Sequence, residues 1–307
     1  MRTPLPIIVG TPRSGTTLLR AMLDSHPDLA ITPETYFLVG LAKSPRFSLS
    51  RSRFNRERFL EDLFSHPRFP LWGLAEADVR NELAARTVSS YTEAFRVLYL
   101  LYANQAGKTR AGDKTPWYVR HIDFLHQLLP EARFIHMIRD GRDVALSRGG
   151  GIVEGAIAWR TAVRGGRRAG ARVGSSSYTE VRYEDLVRDP QGELRRICKF
   201  LDIKFDKAML DYPKRATTVR AGFHRPDSPA HTRLSEPPSL RRDNWEVRMS
   251  PADIAMFETI AGRLLDELGY PSSNHEQAIV ARLRTRLIVS SRFTRTFQRR
   301  ALKRLNS

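Results

Sequence analysis

The chain has 307 residues, 41% of them hydrophobic, and a formal net charge of +18 at pH 7. That length allows one large α/β domain or two smaller ones, and the absence of any run of 18 apolar residues argues against a transmembrane helix. With an apolar run starting at Leu5, no leader peptide is expected. Cys198 is the single cysteine, so no internal disulfide can form. In the helix-like run Leu194–Leu201 it reads as a buried structural thiol. These features predict a cytoplasmic protein. Residues 281–307 carry nine Lys and Arg and no acid, which is half of the net charge. A basic body suits a polyanionic ligand, nucleic acid or an anionic membrane, and charge alone does not choose among them.

Leu5–Val9 reads as a buried parallel strand ended by Gly10, followed by a helix over Ser14–Ser25 with Leu18, Leu19, Met22 and Leu23 on one face. Residues 45–107 hold no strand-like run but several amphipathic stretches, at Arg56–Phe64, Glu76–Arg86 and Tyr91–Gln105, and are expected to form a helical insertion. Arg110–Lys114 leads into a predicted helix over Tyr118–Leu129. Arg133–Ile138 is a second buried strand, followed by Arg139-Asp140-Gly141 and a helix through Ser147. A helix over Val153–Val173, a strand over Tyr178–Tyr183 and a helix over Gln191–Leu201 come next. Ser250 caps a last helix that opens at Pro251 with Asp253 in its first turn. Strands alternating with helices predict an α/β fold with a doubly wound parallel sheet. The body is expected over 1–270 and a basic tail over 271–307. The loop from Pro213 to Asn244 is long enough to serve a function.

Two segments carry the chemistry. In Gly10-Thr11-Pro12-Arg13-Ser14-Gly15-Thr16-Thr17 the two glycines keep the spacing of a phosphate-binding G-x-x-x-x-G-K-[ST] loop. Thr16 stands where the lysine belongs, and Arg13 sits inside the loop. Backbone N–H groups at the helix start, the Thr16 and Thr17 hydroxyls and the Arg13 guanidinium together suit phosphate or sulfate oxygens. The second segment, Arg139-Asp-Gly-Arg-Asp-Val-Ala-Leu-Ser147, begins at the carboxyl end of a strand, where open α/β sheets bind ligands. Alone it reads as a capped helix with a solvated basic face.

Together the two segments resemble the nucleotide-binding elements of sulfotransferases that use 3′-phosphoadenosine 5′-phosphosulfate (PAPS). The run Arg13–Leu29 with Pro33-Glu34-Thr35 is similar to the tyrosylprotein sulfotransferase branch. Asp113-Lys114-Thr115-Pro116, Val181–Pro190 and Asn244-Trp245 recur in similar order across bacterial members. The resemblance spans about residues 5–270 and implies a P-loop-like sulfotransferase fold. It implies that Arg13, Ser14, Gly15, Thr16 and Thr17 hold the 5′-phosphosulfate, that Arg139 and Ser147 hold the 3′-phosphate, and that Tyr183 contacts the adenine. Arg241 and Arg242 would close a loop over the nucleotide.

Glu34 occupies the position of the catalytic base of that branch, although a lone glutamate in a Pro-Glu-Thr segment ordinarily marks a helix start. The histidine used by the cytosolic small-molecule branch is absent, because Pro116 follows Lys114-Thr115. Lys114 matches a lysine near the bridging oxygen. The implied reaction is in-line sulfuryl transfer to a hydroxyl acceptor, with Arg13, Lys114 and Glu34 as the catalytic residues. A sulfuryl group carries a single charge, so cationic side chains and backbone donors are expected to suffice, with no metal. Gly149-Gly150-Gly151 follows Ser147 where the tyrosylprotein branch carries a basic residue, and the acceptor stays open among carbohydrate, lipid, phenol and peptide tyrosine.

Two other readings compete with this one. A P-loop kinase or NTPase needs a lysine at position 16 and an aspartate for magnesium, for which only Asp140 is placed. A basic nucleic-acid-binding protein fits the charge, but no RNA or DNA motif occurs, and nucleic acid is not expected as a partner. His121, His126 and His136 lack metal-ligand spacing, and Trp117 and Trp159 read as packing residues. In the tail, Leu283, Leu287, Ile288, Phe293, Phe297, Leu302 and Leu305 interleave with arginines. That pattern suits either a basic amphipathic helix on anionic lipid, which would make the protein membrane-peripheral, or a solvated extension.

Overall fold

The computed structural model describes residues 3–42, 54–215, 245–271 and 273. The tail beyond 273 and Arg241 and Arg242 lie outside the described residues, as does the loop after Arg215.

Five strands form one parallel sheet: β1 (Leu5–Gly10), β2 (Leu29–Ile31), β3 (Arg110–Lys114), β4 (Ala132–Ile138) and β5 (Tyr178–Arg182), in the order β2-β3-β1-β4-β5. β1 is central, with Ile7 opposite both Asp113 and Phe134, and Ile8 opposite Lys114 and Ile135. Side-chain alternation then sends Ile7 and Val9 to one face and Ile8 to the other. Ile8 packs with Leu19, Met22 and Leu23 of α1 (Thr16–Asp24), and with Leu194, Ile197 and Leu201 of α10 (Pro190–Leu201). Ile7 and Val9 pack with three helices of the expected insertion, α3 (Arg56–Phe64), α4 (Glu76–Ala85) and α5 (Tyr91–Gln105). Burying each such aliphatic side chain contributes roughly 1.5–3 kcal/mol. A sheet covered on both faces is the doubly wound arrangement the alternation of elements predicts.

The insertion helices start where their capping residues place them. Asn55 accepts the Arg58 N–H at 2.9 Å, and Ser90 accepts that of Glu93 at 3.2 Å. Their inner faces share aromatic contacts, with Phe59 5.7 Å from Phe95 and Trp72 5.5 Å from Tyr99 between ring centroids.

Five elements depart from the sequence reading. β2 is only three residues long, too short for a periodic signal. β3 reads Arg-Ala-Gly-Asp-Lys, yet Asp113 and Lys114 are fully buried. Gly112 is required there, since a Cβ would lie 2.6 Å from both Ile31 and Pro6 side chains. The helix expected over Tyr118–Leu129 divides into a 3₁₀ turn (Pro116–Arg120) and α6 (Ile122–Leu128). Tyr183 does not end a strand but opens α9 (Tyr183–Arg188). A short α2 (Phe37–Ala42) follows the Pro-Glu-Thr segment.

The chain divides into two compact units, one of residues 1–139 and 162–240, the other of residues 140–161 and 241–307. The first holds the sheet. The second contains α7 (Gly141–Arg148), α11 (Trp245–Arg248), α12 (Pro251–Glu267) and the start of α8 (Ile152–Val173). Its centre is Arg142, fully buried, which donates to Asp140 at 2.7 Å and Glu258 at 2.8 Å and lies 3.5 Å from the Trp245 ring. Trp159 packs on Phe257 in the same unit. The Cys198 thiol is buried in the first unit, and burial pushes its pKa up to about 11. Among the described residues no helix is long and apolar enough to cross a membrane.

Candidate active site

Each strand of the sheet delivers a candidate residue at or just beyond its carboxyl end. β1 leads into Arg13–Thr17, β2 reaches Glu34 three residues later, β3 ends on Lys114, β4 is followed by Arg139 and β5 by Tyr183. Because all five strands are parallel, these ends share one edge of the sheet.

The loop after β1 is tightly turned. The Ser14 N–H donates to the Thr11 carbonyl at 3.1 Å, and both Arg13 (φ 79°) and Gly15 (φ 89°) adopt the left-handed region. Gly15 stands at the N-cap of α1 and provides no side-chain cap, so the helix's first N–H groups meet no side-chain acceptor from the cap residue. A Cβ on Gly15 would run into the Tyr183 ring. The hydroxyls of Thr11 and Ser14 are buried and have no hydrogen-bond partner among the described residues. Buried polar atoms of this kind ordinarily have one. With Thr16 buried and Thr17 half-buried beside them, the loop offers donors to an anionic group. These residues therefore fit a phosphate or sulfate ester.

Arg139 is largely buried, and its guanidinium lies 4.4 Å from the centre of the Tyr183 ring. Gly15, Arg139 and Tyr183 thus form one cluster. Ser147 lies on α7 in the second unit.

Glu34 and Lys114 form an ion pair, Nζ to Oε1 2.8 Å, with the lysine side chain 1% exposed and the glutamate 27%. Burial raises the Glu34 pKa, but the Lys114 charge and hydrogen bond, the Tyr36 hydroxyl and the Arg68 charge outweigh it. The carboxyl titrates below its ordinary value. Burial pulls Lys114 below the ordinary lysine value, and Glu34 opposes that shift. Tyr36 has φ 54°, rare for a residue with a side chain, and Arg68 lies 5.0 Å from its ring centre. Behind the pair, the carboxylate of Asp113 accepts hydroxyls from Thr35, Thr115 and Tyr99, each at 2.8 Å. Burial pushes Asp113 up to about 6 despite these donors.

Sequence reasoning brought Glu34, Lys114, Arg13 and the loop forward. It missed Thr35, Tyr36, Asp113 and Tyr99. Buried polarity in β3 was the available signal, since Asp-Lys-Thr in a core strand needs partners. Asp140, the aspartate that a magnesium-dependent reading would need, is engaged by Arg142. Among the described residues no group of three or more His, Cys, Asp or Glu is arranged to hold a metal ion.

Comparison with known proteins shows the family of the chain. The model of the family described as "Sulfotransferase family" matches residues 4–207, and one described as "Sulfotransferase domain" matches residues 169–267. Protein-tyrosine sulfotransferase A of Caenorhabditis elegans is 29% identical over 68% of this chain, which spans about half, 53%, of that protein. Nodulation protein NoeE of Sinorhizobium fredii is 26% identical over 96% of this chain and 74% of its own length. Among solved structures, the sulfotransferase domain of the Synechococcus olefin synthase matches with a TM-score of 0.55 and 25% identity. That match covers 88% of this chain and 97% of that domain. The chain belongs to the sulfotransferase family.

Proposed function

We propose that the chain transfers a sulfuryl group from PAPS to a hydroxyl acceptor, with Glu34 as the base. The observation that carries this reading is the Glu34–Lys114 pair at the same sheet edge as the anion-binding loop. Two curated relatives act in support, since the nematode and other matched proteins are named as protein-tyrosine sulfotransferases.

When bound, PAPS supplies an activated sulfuryl group and a phosphate leaving group. Arg13, Ser14, Thr16, Thr17 and the Gly15 backbone hold its 5′ end. Arg139 takes the 3′-phosphate, and Tyr183 holds the base; Ser147, Arg241 and Arg242 keep the roles the resemblance implies. Glu34 is ionised at neutral pH and takes the acceptor's proton on its carboxylate. Lys114 donates toward the charge that develops on the leaving oxygen.

Incubation with donor labelled in the sulfuryl group, against panels of glycans, lipids, phenols and tyrosine peptides, tests the reading. Label should pass to a hydroxyl acceptor in the wild type and not in Glu34→Gln. Transfer undiminished in that variant would contradict the assignment of the base.

A further inference from the structure

The Glu34–Lys114 pair joins residues 80 positions apart, one in the segment after β2 and the other at the end of β3. What sets their separation lies one residue away on each side. The Thr35 N–H donates to Thr115 Oγ1 at 2.9 Å, and the Thr35 hydroxyl donates to Asp113 Oδ2 at 2.8 Å. Thr35 follows Glu34, while Asp113 and Thr115 flank Lys114, so two bonds bracket the pair.

Each hydroxyl has one proton to give. Those of Thr35, Thr115 and Tyr99 all go to Asp113. The Tyr118 hydroxyl, 2.6 Å from Thr35 Oγ1, must then be the donor of that contact. The Thr35 hydroxyl also lies 3.0 Å from Thr115 Oγ1, and Thr35, Asp113, Thr115, Tyr118 and Tyr99 are all buried. A buried hydrogen-bond network of this kind rigidifies the segments it joins.

We infer that Thr35 is a positioning residue: its amide and hydroxyl fasten the Glu34 loop to the Asp113–Thr115 strand end and so hold the Glu34 carboxylate against the Lys114 ammonium. The inference rests on the proposed reaction for its kinetic consequence, but not for its geometry. Lys114, Tyr36 and Arg68 are the groups that act on the Glu34 carboxylate, and Thr35 controls the first of them.

The test compares Thr35→Val, which keeps the shape and removes the hydroxyl, with Thr35→Ser, which keeps the hydroxyl. Tyr99→Phe is the control, since it removes one donor from the same Asp113 oxygen and leaves residues 34–36 untouched. Thr35→Val and Tyr99→Phe should lose similar amounts of melting temperature. Only Thr35→Val should lose kcat, by about a hundredfold, the loss a ~1 Å misplacement brings, with the donor KM unchanged and activity restored in Thr35→Ser. Carboxyl NMR titration of Glu34 gives a second readout that needs no turnover: its pKa should rise in Thr35→Val and stay in Tyr99→Phe. Should Thr35→Val fail to fold, Thr35→Ala carries the same expectations. A Glu34 titration unmoved in Thr35→Val, or in Thr35→Ala, would overturn the inference. A shifted titration in a wild type that transfers no sulfuryl group would uphold the positioning role and reject the reaction instead.

Discussion

Lys114 Nζ and Glu34 Oε1 stand 2.8 Å apart, an ion pair in which one partner is wholly buried and the other reaches solvent. The asymmetry has a thermodynamic consequence. Removing one member of a buried pair leaves the other uncompensated, at a cost of about 3–5 kcal/mol, whereas replacing both by neutral groups is close to neutral. Glu34 is partly exposed, so the lower end applies.

Glu34→Gln alone should therefore lower both stability and activity. The double variant Glu34→Gln/Lys114→Met should regain most of the stability and none of the turnover. Denaturant midpoints and transfer rates measured on the same samples separate the two effects. Recovery of activity along with stability would mean that the pair serves the fold alone.

The pH dependence follows from the direction of the Glu34 shift. Its pKa is lowered in the folded protein, so the ionised base persists to pH values below the ordinary carboxylate range. Activity is lost only as pH falls through that lowered value. Tyr36 is one of the groups holding it down, and Tyr36→Phe removes that hydroxyl without altering the ring. The acid limb of kcat/KM should then move to higher pH in Tyr36→Phe. An acid limb that stays or moves lower would show that the hydroxyl does not act on Glu34.

Gly15 is constrained twice, by φ 89° and by the Tyr183 ring where a Cβ would go. A side chain in the left-handed region costs ~1–2 kcal/mol, and the displaced Tyr183 would no longer stack under Arg139. Gly15→Ala should lose the thermal stabilisation that adenosine 3′,5′-bisphosphate gives the wild type. An undiminished shift would separate Tyr183 from the nucleotide site.

How far the sequence carries the fold depends on which signal each element leaves. β1, β4 and α1 are apolar with the right period and flanking glycines, and they stand close to where periodicity puts them. The insertion helices follow their amphipathic stretches, and the structure adds side-chain caps at Asn55 and Ser90. β3 and β2 leave no hydrophobic signature, because β2 is three residues long and β3 is built around Asp113, Gly112 and Lys114. The site shows the same division. The loop glycines, Arg13, Glu34 and Lys114 sit in recognisable motifs. The partners that position them, Thr35, Tyr99 and Tyr118, are ordinary residues whose importance arises only when distant segments meet. Arg142 differs again: it shares a motif with Arg139, yet it is absorbed by Asp140, Glu258 and Trp245 in the second unit's core.

The account depends most on recognition of an adenylate with a phosphate on its 3′ oxygen, and calorimetry addresses that directly. Adenosine 3′,5′-bisphosphate and 5′-AMP should be titrated into the wild type and into Arg139→Gln. A hydrogen-bonded charge contributes about 1.5–3 kcal/mol, or roughly a tenfold to hundredfold change in Kd. The wild type should prefer the bisphosphate by that margin, and Arg139→Gln should bind the two nucleotides about equally. Equal binding by the wild type, or no heat with the bisphosphate at all, would contradict the account.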